Sequence, residues 1–387
     1  MNEDVSPGMS DRTNLDALDA NMHQNGERAA AERVQAALLA SWLSTAIEYQ
    51  ATDLLLVAGA YPSVRVENKL VSLGGSVLDG REIEHLVLPA LAPHARRQFN
   101  DVGIADGSLR SREGGRFRVN LHRERGRAAA TIRRLPQVVP RLAALGLPAS
   151  VEALTRLQRG LVLVGGATGS GKTTTLAALV NEINLRDERH IITIEDPIEY
   201  EHQHARSLVE QVEIGVDAPD FATALRAALR QSPDVIVVGE MRDADTMRTA
   251  LAAGETGHLV LSSLHTTDVA STVSRVGDSF PLERQNTIRQ ELAMALAAVM
   301  TQSLVPSRQG GRVPVAELLL MSYGARQHVR KNGVQHLHQE IAMTRKNGSF
   351  SFEDSLATLV RNGALDRQDA LARAHHPEEL QLLLGGQ

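Results

Sequence analysis

The stretch "GLVLVGGATGSGKTTTLAALV", Gly160 to Val180, decides the fold. It opens on four apolar residues, Leu161 to Val164, with the length and composition of a buried strand. It closes on helix formers, with Leu176 and Leu179 on one face. Between them Gly166-Ala167-Thr168-Gly169-Ser170-Gly171-Lys172-Thr173 satisfies the G-x-x-x-x-G-K-[ST] pattern in full. The glycines let successive N–H groups turn toward a phosphate, and the helix start adds its positive end. Lys172 then reaches the outer phosphates of ATP, the Thr173 hydroxyl is a ligand for Mg2+, and Thr174 follows in the same helical turn. A plain glycine-rich turn is the alternative, but the strand before and the helix after favour a phosphate loop.

Three later segments carry the polar groups such a site needs. "HIITIEDPIEYEH" (His190–His202) begins as a strand and breaks at Pro197. It delivers Glu195, Asp196 and Glu199 to the sheet edge where α/β proteins place ligands. Phosphoryl transfer to water uses a carboxylate to orient the nucleophile. The structural alternative is that Asp196 caps the turn and the glutamates are solvated. "DVIVVGEMRD" (Asp234–Asp243) holds a buried strand, Val235 to Val238, but ends in Gly239-Glu240 where P-loop NTPases usually place an aspartate. In "GETGHLVLSSLHTTD" (Gly254–Asp268), His258 and His265 bracket the strand Leu259 to Ser262. Histidines so placed are more often structural, and their spacing does not suggest a metal site. At a sheet edge a histidine can instead sense a γ-phosphate.

In order and spacing, Gly166–Thr173, "TIEDPIEY", "VIVVGEMRD" and "TGHLVLSSLHTTD" resemble the Walker A, aspartate, Walker B and histidine boxes of the type II/type IV secretion ATPase superfamily. The resemblance spans about residues 41 to 385. It implies an α/β fold: a RecA-like P-loop NTPase domain, a smaller N-terminal α+β (PAS-like) domain and a helical C-terminal tail. It also accounts for the missing aspartate, because the Walker B strand of this family characteristically ends in glycine-glutamate. By resemblance, Glu240 joins Thr173 in holding Mg2+, Glu199 activates the water, and His258 and His265 sense phosphate. With no room for a further N-terminal domain and no cysteine for a four-cysteine element, the chain is most similar to the shorter twitching-motility group, which retracts type IV pili. That implies an ATP-hydrolysing homohexamer seated on an inner-membrane pilus platform protein, with a paralogous ATPase as a further partner. Two segments depart from the group. "GARQHVRK" (Gly324–Lys331) stands where the group has AIRNLIRE, with Arg326 and Arg330 matching, and Leu55 stands where a histidine is common. The altered helix leaves open an assembly or secretion ATPase, or an accessory non-hydrolysing partner.

Between Arg110 and Arg134 stand nine arginines and two glutamates. In "RFRVNLH" (Arg116–His122), Phe117, Val119 and Leu121 alternate with Arg116, Arg118 and Asn120. In "AAATIRRL", Ile132 faces in and Arg133 out. The simplest reading is a solvated charged face. Single-stranded nucleic acid is a weaker one, since stacking aromatics are scarce. The resemblance implies that Arg118 and Arg133, with Arg116 less well matched, act on a neighbouring subunit's nucleotide. Such arginine fingers are worth about 10³–10⁵ in rate in other NTPases.

The 387 residues suffice for two cores. The expected divisions are a disordered tail at 1–26, the α+β domain at 27–140, a linker at 141–150, the P-loop core at 151–313 and a mostly helical region at 314–387. A net charge of −5 gives no general attraction to nucleic acid or acidic membranes. The absence of cysteine excludes disulfides and thiolate metal sites. The polar start does not read as a secretory leader, and no run of 18 or more apolar residues occurs. The expectation is a cytoplasmic protein without a transmembrane segment or a nucleic-acid partner, peripherally associated with inner-membrane pilus machinery. A nucleic-acid translocase on the same core is the rival of another class, and predicts DNA-stimulated, salt-sensitive turnover.

Overall fold

Alternating apolar and charged residues build an antiparallel sheet in the first part of the chain, and apolar runs build a parallel sheet in the second. The computed structural model describes residues 33–111 and 114–385, so the tail expected at 1–26 lies outside the described residues. Two units are distinguished, Met1–Leu135 and Pro136–Gln387.

The first unit contains strands β1 (Asp53–Leu56), β2 (Ser63–Val66), β3 (Lys69–Ser72), β4 (Ile104–Arg110), β5 (Arg116–Glu124) and β6 (Arg127–Arg134). They form one sheet in the order β3-β2-β1-β6-β5-β4. Arg125 and Gly126 both take positive φ, 48° and 75°, and close the β5–β6 hairpin. That is the backbone a two-residue hairpin turn demands, and it sets the register. Phe117, Val119, Leu121 and Ile132 are then fully buried against Leu54, Ile83 and Phe99. Arg118 and Arg133 sit directly opposite each other on the other face.

The second unit contains β7 (Gly160–Gly165), β8 (His190–Glu195), β9 (Leu208–Glu213), β10 (Val235–Val238), β11 (Leu259–Leu264), β12 (Leu296–Pro306) and β13 (Arg312–Leu320), in the order β13-β12-β7-β11-β10-β8-β9. All neighbours are parallel except β12 and β13. Central β7 is buried along its whole length, and Leu161 and Val162 feed apolar clusters on opposite faces of the sheet. Burying each such side chain is worth about 1.5–3 kcal/mol.

Strand β13 runs across the division expected at 313/314, so the helical stretch begins only at Tyr323. Its residues Pro314 to Leu319 are all buried, with Val315 packed on Phe352 and Leu356. A run covered on both faces loses the alternation that marks a strand in sequence. The expected linker holds a short 3-10 turn, Leu142–Leu145, whose Leu142 is buried.

Candidate active site

Parallel register brings the four sequence segments to one edge. Gly165 pairs with Leu264, Val238 with both Ser262 and Ile194. The phosphate loop after β7, the turn after β8, Glu240 after β10 and His265 after β11 therefore emerge side by side.

The phosphate loop is shaped by what a side chain would hit. A Cβ on Gly166 would lie 2.3 Å from Ser170 Oγ and 2.6 Å from the Gln302 carbonyl oxygen. Gly169 and Gly171 have φ of 78° and 91°, a region costly for residues with a side chain. Gln302, on β12, bolts the loop in place: its Nε2 donates to the Ser170 carbonyl at 2.7 Å and its Oε1 accepts from Thr175 Oγ1 at 2.8 Å. The helix Lys172–Arg186 begins without a side-chain cap or an acidic first turn. Its first N–H groups thus form the end of the site that favours an anion. Thr173 lies in that turn, and the Thr174 hydroxyl is 3.0 Å from the Tyr200 hydroxyl, tying the loop to the segment after β8.

Lys172 is buried and donates to the carbonyls of Gly166 at 2.8 Å and Ala167 at 3.1 Å. Burial lowers its pKa, while the charges of Glu240 and Glu199 raise it. Both carboxylates therefore act on this ammonium. Glu195 plays a different part. It is half-buried, its carboxyl pushed up by desolvation, and it accepts from Thr193 Oγ1 at 2.6 Å and Gln211 Nε2 at 3.1 Å. It braces the turn that presents Glu199.

Glu240 pairs through one oxygen with Arg242, and its other oxygen is 3.4 Å from His265 Nε2. The opposite ring nitrogen of His265 is 3.5 Å from Thr168 Oγ1. His265 thus spans from the Walker B segment to the phosphate loop. His258, expected like His265 to sense phosphate, does not share this position. It stands before the first residue of β11, with its carbonyl accepting from Gly160 N at 2.9 Å and its Nδ1 3.1 Å from the Ala253 carbonyl. A six-residue strand at about 3.3 Å per residue separates the two ends.

In the first unit, Arg133 Nε donates to Asp53 Oδ1 at 2.9 Å while its side chain stays two-thirds exposed. Arg118 lies 3.9 Å from Asp106. Both guanidinium groups are oriented and accessible. Residues that the sequence did not single out are Arg242, Gln302 and Glu317. Only Arg242 carried a signal, its place in the "GEMRD" segment.

Glu317 on β13 accepts from Val269 N at 2.7 Å and Thr301 Oγ1 at 3.0 Å, holding the start of the helix Val269–Asp278 that follows His265. Burial pushes its carboxyl up from 4.5 to about 7. Because the folded value lies above the unfolded one, the stability from its protonated form is complete below about pH 4.5 and is lost as pH rises through about 7. Glu317→Gln is expected to flatten this dependence, so that wild type loses about 3 kcal/mol relative to the variant between those limits. Urea unfolding of both proteins at pH 5 and pH 8 measures it, and parallel curves would refute it.

The helix Tyr323–Arg330 carries the segment that departs from the retraction motif. Ser322 caps it by accepting from Ala325 N at 2.9 Å and donates to Glu340 Oε2 at 2.6 Å. Gly324 lies against that carboxylate, where a Cβ would come within 2.4 Å of Glu340 Oε1. Arg326 donates to the carbonyls of Ala293 and Met294.

A phosphate loop whose lysine feels two carboxylates, one of them linked back to the loop by a histidine, is the machinery of a P-loop ATPase. The pattern of the family described as Type II/IV secretion system protein matches residues 116–370, and the chain belongs to that family. It is 39% identical over 291 residues to the type IV pilus retraction ATPase PilT of Pseudomonas aeruginosa, covering 75% of this chain and 85% of the relative. It is 38% identical over 292 residues to the type IV pilus ATPase PilU of the same organism, covering 75% and 76%. A crystal structure of the pilus retraction motor PilT with bound ADP superposes with a TM-score of 0.81 at 40% identity, covering 89% of this chain and 98% of that one. Among the described residues, no helix is long and apolar enough to cross a membrane.

Proposed function

We propose that the chain is a ring-forming motor that hydrolyses ATP to power retraction of type IV pili. The observation that carries this is the convergence of Lys172, Glu199, Glu240 and His265 at one sheet edge, in a chain alike over most of its length to retraction ATPases. In this reading the first-turn N–H groups and Lys172 hold the phosphates of ATP. The Thr173 hydroxyl and the Glu240 carboxylate suit a hard cation, and Mg2+ held there would neutralise charge on the phosphates. Glu199 orients the attacking water and takes its proton. His265, touching both the loop and Glu240, registers loss of the γ-phosphate. Arg118 and Arg133 serve the nucleotide of the adjacent subunit in a homohexamer, whose partners are a pilus platform protein in the inner membrane and a paralogous ATPase. The second reading, an accessory partner that binds ATP without turning it over, is disfavoured by the intact Lys172, Glu199 and Glu240, and the altered helix Tyr323–Arg330 does not decide it.

The test combines steady-state turnover with light scattering. The motor reading expects turnover unaffected by DNA and a nucleotide-dependent hexamer. It also expects activity to return when Arg133→Ala and Lys172→Ala subunits, each inactive alone, are mixed. Monomers under every nucleotide condition, or turnover driven by DNA, would count decisively against it.

A further inference from the structure

Behind the loop that follows His265 lies a cavity of about 330 Å³ lined by Thr267, Asp268, His338, Glu353 and His376 among others. Three helices bring together a histidine and two glutamates at and beside this cavity. His338 comes from Leu337–Met343, Glu353 from Phe352–Arg361, and Glu379 from Pro377–Gly385. One ligand atom from each of His338, Glu353 and Glu379 lies within 4.8 Å of the others.

Glu353 makes this more than a cluster of acids. It is only 1% exposed, and while its Oε1 accepts from His376 N at 2.8 Å, its Oε2 has no hydrogen-bond partner. The start of its helix favours a negative charge, but that does not satisfy the second oxygen. A buried carboxylate oxygen left without a partner is costly, and a cation is the group that repays it best. The neighbouring ligands are already oriented. His338 Nε2 is 2.8 Å from Glu379 Oε2, and Arg345 holds the other Glu379 oxygen at 2.7 Å. The His338 ring also packs on the His376 ring, with centroids 4.1 Å apart.

We infer that His338, Glu353 and Glu379 form a site for a divalent transition metal of the zinc class. One imidazole and two carboxylates suit Zn2+ at about 2.0–2.2 Å, with water completing a tetrahedron. Mg2+ and Ca2+ prefer oxygen ligands alone, so the imidazole points away from them. The donor atoms need to close by about 1 Å to reach tetrahedral spacing, and the His338–Glu379 hydrogen bond gives way to the metal. Arg345 then acts as the outer partner that fixes Glu379. Because Thr267 and Asp268 share the cavity wall, the metal pins the three C-terminal helices beside the segment joining His265 to the helix Val269–Asp278. This inference is independent of the retraction reading and concerns the fold around the histidine box.

The full chain, stripped with a chelator and dialysed, is titrated with Zn2+ against a chromophoric competitor. One zinc per chain is expected, bound about 100-fold or more tightly than by Glu353→Gln or His338→Ala. Zn2+ should raise the melting temperature of wild type and leave that of Glu353→Gln unmoved. Glu379→Gln alters a more exposed position and gives the same reading if a buried variant fails to fold. Equal binding by wild type and variants places the metal at other histidines and overturns the inference, as does the absence of saturable binding.

Discussion

Lys172→Ala is expected to lower ATP turnover by about 10³-fold or more and to weaken nucleotide binding together with it. The ammonium is buried at the start of its helix and bonded only to loop carbonyls within six residues of it, so its loss removes charge from the site without unseating the sheet. The loop keeps its shape because Gln302 holds Ser170 and Thr175 independently of Lys172. The folded state should therefore survive while both the ground state and the transition state lose a cation. Turnover measured beside equilibrium binding of a fluorescent ATP analogue tests this. A variant that binds and hydrolyses normally would remove the phosphate loop from the chemistry.

Glu199→Gln is expected to separate the two quantities that Lys172→Ala lowers together. Hydrolysis should fall about 10²–10⁴-fold, the range for loss of a general base, while nucleotide affinity stays near that of wild type. Three carboxylates stand at the end of β8 and just after it, and the structure distinguishes them. Glu195 is half-buried and its carboxylate is already committed to Thr193 and Gln211. Asp196 contributes to the field at Arg242, whereas Glu199 acts on Lys172 itself. Single-turnover kinetics with saturating ATP measure the chemical step apart from binding. Unchanged single-turnover rates would move the base to another residue, with Glu240 the next to be tested.

What the sequence disclosed follows from how locally each feature is determined. Gly166 to Thr173 could be read because a phosphate loop needs its glycines, lysine and hydroxyl in consecutive positions. The hairpin face could be read because Phe117, Val119 and Leu121 alternate with arginines, and the pleat converts alternation into two faces. His258 and His265 bracket a strand, and sequence does not say which end meets the ligand. A parallel strand carries its functional loop at its C-terminal end, and that separates them. Gln302 is the middle one of three polar residues in β12, Thr301 to Ser303, and its contact with the phosphate loop spans 132 positions. Nothing local marks it. The group His338, Glu353 and Glu379 comes from three helices with no fixed spacing, so only the packing of those helices reveals it.

The contact between Gly324 and Glu340 couples what each of these two positions can hold. The carboxylate is held by the Ser322 hydroxyl at 2.6 Å and by His328 at 3.5 Å, and it occupies the space an alanine at 324 needs. An alanine at 324 would push the Glu340 carboxylate aside and weaken its contacts with Ser322 and His328. Shortening Glu340 opens the space at little steric cost. Two substitutions that look independent in a sequence are therefore expected to be non-additive: Gly324→Ala should cost more stability with Glu340 present than beside Glu340→Ala.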